Sequence, residues 1–306
     1  MKETKKLSIP GLLDRHFGTL SMVPAMLGLA CVLVYPVIVG VYWSFTNMSI
    51  LRNTSKFVGL QNYITLFKTD ELWISMRNGL VYTAATICIQ IIWGVGLALL
   101  LDRCLSAKVS RAFRLIFMIP WTFPVIVTVL VWGWLYSDQG IISTMLFQNN
   151  LISEPMSYLA SKATALPAVI FVHSWTGVPL MMMSTLAGLQ TIPQDEYDVA
   201  RIEGASPLQV LRFVIMPNVS RILQVIIVLR CVWIFNNFNL IFLLTGGGPG
   251  VSTQNLPIIA YRYGWQTFEM GKSSAVSVIM LILLVIMFCV YQLVNKKVKG
   301  GDDDAF

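Results

Sequence analysis

An all-α membrane protein with six transmembrane helices is the fold that three observations predict. First, of 306 residues 56% are hydrophobic and only 12% charged, too little charge to coat a soluble domain of this size. Second, the apolar residues gather into runs of about 20 or more, long enough for a helix to cross roughly 30 Å of hydrocarbon. Third, lysine and arginine concentrate in alternate loops between those runs. Inside lipid each backbone N–H and C=O must be satisfied within its own segment, which makes the runs helices.

Taken in order, the spans are expected at 22–45, 78–101, 115–136, 163–189, 222–244 and 275–294. Together they form a transmembrane domain at 22–294, between an N-terminal segment 1–21 and a C-terminal tail 295–306. Lys2, Lys5 and Lys6 open the chain, but Pro10, Asp14 and Arg15 interrupt any signal-like stretch, so the first span is expected to be retained. Placing both termini in the cytoplasm puts Arg103, Lys108, Arg111, Arg114, Arg201, Arg212, Arg221, Lys296, Lys297 and Lys299 on that side with the N-terminal cations. The opposite loops hold about half as many, which predicts an inner-membrane protein with both termini cytoplasmic. The same bias accounts for the net charge of +7, so no nucleic-acid partner is needed.

Tyr42, Trp43, Trp132, Trp134, Tyr136 and Tyr291 fall near the span ends, as an interfacial belt requires. Pro24, Pro36, Pro120, Pro124 and Pro179 lie inside spans, where they either kink helices that line a pathway or simply pack. The acidic run Asp302-Asp303-Asp304 ends the tail.

Several chemistries are excluded. Cys31, Cys88, Cys104, Cys231 and Cys289 are scattered, with no C-x-x-C and no His/Cys cluster, so neither a metal nor a redox site is expected. No nucleophile–His–acid set is present, and His16 and His173 lie far apart, so no catalytic residue is expected. Gly271-Lys272-Ser273 resembles the end of a phosphate-binding loop, but Gln266 stands where its first glycine belongs. An ion-coupled secondary transporter is the alternative function, yet it would want an intramembrane carboxylate, and all 15 acids fall outside the spans.

Polar groups at membrane depth are the candidates for binding. His173, Thr176, Gly177 and Leu180 share one face of span four at i, i+3, i+4 and i+7. Arg230, Trp233, Ile234 and Asn237 repeat that spacing on span five. Arg230 either faces the pathway or snorkels to the cytoplasmic interface on its long stem.

The loop at 193–217 carries the most specific signal. Pro193 with Asp195 and Glu196 opens a short helix, Gly204 turns the chain, Pro207 starts a second helix, and Pro217 marks entry to span five. Read alone it is a helix–Gly–helix at the cytoplasmic face, or an amphipathic connector resting on headgroups. It resembles the signature of ATP-binding-cassette (ABC) importer permeases: Glu-Ala-Ala, three residues, Gly, nine residues, Ile-x-Leu-Pro. Here it reads Asp198, Val199, Ala200, then Gly204, then Val214, Met216 and Pro217, departing from the pattern in four conservative positions.

Three further segments resemble the sugar-permease branch of that family, the relatives of the maltose and glycerol-phosphate permeases. They are Phe57-Val58-Gly59-Leu60-Gln61-Asn62-Tyr63, Leu186-Ala187-Gly188-Leu189-Gln190-Thr191-Ile192-Pro193 and Leu244-Thr245-Gly246-Gly247-Gly248-Pro249. The resemblance implies the type I ABC importer permease fold, working as half of a pathway with a second permease subunit in a heterodimer. It implies two ATPase subunits that bind ATP and Mg, no cofactor on this chain, and an extracytoplasmic solute-binding protein. Glu196, Asp198, Ala200, Gly204 and Pro217 are implied to couple to the ATPase. A sugar site on His173, Thr176, Gly177, Leu180, Arg230, Trp233, Ile234 and Asn237 is implied by the maltose-importing relative. That relative has a small polar residue where Arg230 stands here. The substitution suits an anionic sugar such as a sulfonate, phosphate or uronate, and a neutral glycoside remains open.

Overall fold

Apolar patterning sets the long helices of the computed structural model, which describes residues 21–303 apart from residue 54. The N-terminal segment 1–21 lies outside the described residues except for Ser21. The long helices are α1 (Ser21–Ser44), α3 (Asp70–Arg103), α7 (Ala165–Leu189), α9 (Pro207–Phe235) and α12 (Met270–Asp303). Between them run α2 (Gln61–Phe67), α4 (Ala107–Thr122), α5 (Val125–Leu135), α6 (Ile141–Gln148), α8 (Gln194–Ile202), α10 (Asn239–Thr245) and α11 (Leu256–Tyr261). The backbone of α12 continues as helix to Asp303, and its Met270–Leu293 part is long and apolar enough to span. Among the described residues the β structure is one isolated bridge, Thr46 to Phe57.

Two of the expected spans are corrected. The third is two helices: α4 and α5 meet at Phe123–Pro124 and diverge by 95°. Pro124 has no N–H to extend the helix, and Phe123 before it is held extended at φ −69°, ψ 132°. Counted as one broken span, the pair brings the total to six. The fifth runs from Pro207 to Phe235, not from 222 to 244, and the chain restarts at Asn239 as α10. Asn237 makes this break: its Oδ1 accepts from the N–H of Leu240 (3.2 Å), and its carbonyl accepts from Asn255 Nδ2 (2.8 Å).

Pro217 therefore lies inside a continuous helix rather than at its entry. The helix widens just ahead of it, where Met216 N–H donates to Leu211 C=O, five residues back. The same widening precedes Pro36, where Tyr35 N–H donates to Ala30 C=O. In both places the wider turn accommodates a ring that an ordinary α-turn would exclude.

The segments on the side opposite the 193–217 loop are structural fasteners. Asn62 Nδ2 donates to the carbonyls of Ser44 and Thr46, both at 2.8 Å, and Tyr63 Oη to Ser44 Oγ at 2.7 Å. They pin α2 to the end of α1. Gly271 donates to Met48 C=O (3.0 Å), and a side chain there would strike Thr46 C=O, which explains the glycine without any phosphate. Lys272 pairs with Glu269 at 2.8 Å. In the glycine-rich segment Gly246 and Gly247 adopt φ 62° and 91°. The following Thr253, Gln254 and Asn255 are buried.

At the centre, α7 packs along α3, with α9 and α4 against its other sides. Gly94 lets α3 approach α7 so closely that a Cβ would collide with Met181. One apolar cluster, with Leu101, Met182, Leu186 and Leu223, fills the 193–217 end of these helices. A second, with Tyr82, Val169, Ile170 and Ile234, fills the other side. Between them lies a polar layer of Gln90, His173, Gly177 and Arg230.

Candidate functional site

That polar layer opens into a cavity of about 200 Å³. Its walls come from the α4–α5 break (Pro120, Trp121, Phe123, Val125), from Thr128, from α7 (His173, Thr176), and from Arg230, Asn237 and Leu240. Both broken spans thus meet at this cavity, where non-helical backbone is tolerated at membrane depth because it lines a space rather than lipid.

Arg230 does not snorkel. It is 5% exposed, and its Nε and Nη2 donate to Gln90 Oε1 at 3.1 and 3.0 Å. Its guanidinium carbon lies 5.9 Å from the centre of the Trp121 ring. Among the described residues its charge has no carboxylate partner, since the ion pairs there are Arg201–Asp198, Arg262–Glu71 and Lys272–Glu269. A buried cation balanced only by neutral dipoles is costly.

His173 is fixed from two sides. Its Nδ1 is hydrogen-bonded to the hydroxyl of Tyr82. Its carbonyl accepts from Gln90 Nε2 (3.1 Å) and Thr176 Oγ1 (2.9 Å). With the tyrosine hydroxyl donating, the ring proton sits on Nε2. Gly177 gives these side chains their room, since a Cβ there would displace the ends of both Gln90 and Arg230.

Of the sequence-derived binding residues, His173, Thr176, Arg230 and Asn237 line the cavity and Gly177 backs it. Leu180, Trp233 and Ile234 do not line it: Ile234 is fully buried in the apolar cluster with Tyr82, while Trp233 is more than half exposed. Arg230, Trp233 and Ile234 follow one another on α9 while Asn237 lies beyond its end, and a helix face about 100° wide touches more than one environment. Tyr82, Gln90 and Trp121 were not foreseen. For Tyr82 and Gln90 the signal is a polar series inside span two, Tyr82, Thr86 and Gln90 at i, i+4 and i+8, which marks a buried face; Trp121, in span three, has no such signal.

The second candidate region is the 193–217 turn. Pro193 precedes α8, and Asp195 and Glu196 occupy its first turn. Ala205 N–H donates to Ala200 C=O (2.9 Å) and Gly204 N–H to Arg201 C=O (3.1 Å), with Gly204 at φ 72°. This is the paired ending of a helix through a left-handed residue. Ser206 and Gln209 then cap the start of α9 reciprocally. Glu196 accepts from Asn218 Nδ2 (2.9 Å), and Tyr197 lies under the Arg103 guanidinium (4.8 Å), so α8 is held to both α9 and α3. Asp198 faces outward near Arg201 (4.0 Å), Ala200 is buried, and Val199, Ile202 and Leu208 stand exposed. No group of His, Cys, Asp or Glu able to hold a metal is found among the described residues.

Residues 90–300 match the family described as binding-protein-dependent transport system inner membrane component. The chain is 29% identical over 285 residues to the trehalose/maltose transport system permease protein MalF of Thermococcus litoralis, covering 92% of this chain and 95% of that one. It is also 29% identical over 280 residues to the sulfoquinovosyl glycerol transport system permease protein SmoG of Agrobacterium fabrum, covering 91% and 90%. A bacterial ABC transporter involved in import of the acidic polysaccharide alginate has the same fold, with a TM-score of 0.81 at 19% identity over 93% of this chain and 97% of that one.

Proposed function

The chain belongs to the family of binding-protein-dependent transport system inner membrane components, and from that premise we propose that it is one permease subunit of an ATP-driven importer of an anionic sugar. In this reading a second permease subunit forms the other half of the pathway, and an extracytoplasmic binding protein delivers the solute. Two ATPase subunits carry ATP and Mg and dock on the 193–217 turn, whose exposed Val199, Ile202 and Leu208 supply an apolar contact. Both termini are cytoplasmic. Closure of the ATPases would move α8, and with it α9 and α3, through the Glu196–Asn218 and Arg103–Tyr197 contacts. The cavity, which α9 reaches through Arg230, would then change its access from one side to the other. Secondary transport is disfavoured because, among the described residues, no carboxylate lines the cavity.

Relatives of equal identity are named for a neutral disaccharide and for a sulfonated glycoside, so their names do not choose the charge. The observation that carries the choice is Arg230, buried at the cavity wall with only a neutral acceptor. The test is uptake of a matched sulfonated and neutral glycoside by reconstituted importer. Arg230→Ala should abolish the preference for the charged solute and Arg230→Lys should restore only part, because an ammonium lacks the planar fork. Uptake of the charged solute by Arg230→Ala at the wild-type rate would refute the reading.

A further inference from the structure

We propose that Gln90 on α3 is a specificity-determining residue: it holds one edge of the Arg230 guanidinium and, by being neutral, leaves the other edge and the whole positive charge for an anionic ligand. This rests on Arg230 being an anion contact, as read above. Gln90 is fully buried. Its Oε1 accepts from both Nε and Nη2 of Arg230, at 3.1 and 3.0 Å, which occupies the side edge of the fork. Its Nε2 donates to His173 C=O at 3.1 Å, so the amide cannot flip without losing both sets of bonds. The remaining donors, on Nη1 and the second N–H of Nη2, form the end-on edge that matches two oxygens of a sulfonate, carboxylate or phosphate.

Gly177 makes the arrangement possible, because any side chain there would displace Gln90 and Arg230 together. A glutamate at position 90 would have nearly the same shape and could accept the same two bonds, while giving up the donation to His173 C=O. It would also neutralise the guanidinium at contact distance and so remove the reason for an anion to enter. The choice of amide over carboxylate at one position on α3 thus sets whether the cavity selects charge.

The probes are methanesulfonate and its neutral counterpart of similar shape, dimethyl sulfone, added in a concentration series to the full chain in detergent. Preferential stabilisation against thermal unfolding reports their relative affinities by mass action. Wild type should prefer the anion, and Arg230→Ala should lose that preference. Gln90→Glu should also lose it, by about tenfold or more, with the melting transition itself preserved. Where Gln90→Glu does not fold, Gln90→Met removes the anchor without adding charge, and the preference should weaken because the fork is no longer aimed. If wild type shows no preference, or Arg230→Ala keeps it, the reading of Arg230 falls and this inference with it. If Arg230→Ala loses the preference while Gln90→Glu, or Gln90→Met in its place, keeps it in full, the role of Gln90 alone is refuted.

Discussion

Replacing Gly204 tests the turn that is read as the link to the ATPase, and the structure separates its backbone demand from any steric one. Gly204 sits at φ 72°, and a Cβ built there meets no atom within 4 Å. The cost of a side chain is therefore conformational alone, about 1–2 kcal/mol for an ordinary residue and up to about 3 for a β-branched one. Asparagine tolerates the left-handed region and should cost least. Each ~1.4 kcal/mol reduces the population of the native turn relative to its alternatives about tenfold. Losing the turn releases the bonds from Ala205 to Ala200 and from Gly204 to Arg201, and so misaims α8 against α9. Solute-stimulated ATP hydrolysis by the reconstituted importer should fall in the order glycine, asparagine, alanine, valine, with the amount of chain in the membrane unchanged. Wild-type hydrolysis by Gly204→Val, or Asn as damaging as Val, would refute the reasoning.

Two further outcomes are expected, the first from the geometry and the second from the charge bias of the loops. Gly177→Ala gains up to about 1 kcal/mol of helix propensity but pushes the buried ends of Gln90 and Arg230, whose charge-assisted bonds are worth about 1.5–3, so its melting midpoint and its uptake should both drop; unchanged values would show that the pair shifts together at little cost and refute the demand for glycine. Cysteines introduced at Asn149 and Gly250 should react with an impermeant reagent in intact cells, and those at Ser106 and Gln209 only after permeabilisation. Labelling of Gln209→Cys from outside would overturn the orientation.

Much of the fold was legible because lipid enforces it: runs of apolar residues had to be helices, and the 193–217 turn announced itself through Pro193, Gly204 and Pro207. The breaks were harder to place. Span three contains two prolines, but only Pro124 divides it, while Pro120 remains inside α4. Span five contains no proline at its break, which arises from Asn237 bonding to Leu240 and Asn255, the second of these 18 residues away. The site was half visible for a related reason. Polar residues on α7 and α9 stood out, but Arg230 is fixed by Gln90, 140 residues earlier, and no local spacing reveals that partner. Periodicity also grouped Ile234 with Arg230, whereas Ile234 turns into the apolar core.

The measurement that bears most directly on the proposed function is solute accumulation in proteoliposomes holding this chain with its permease and ATPase partners. The solute is the one that the cognate binding protein retains in calorimetry against a panel of neutral and anionic sugars. Accumulation should require ATP, Mg and the binding protein together, persist when ionophores collapse every ion gradient, and favour an anionic sugar. Accumulation driven by an ion gradient without ATP, and abolished by ionophores, would contradict it.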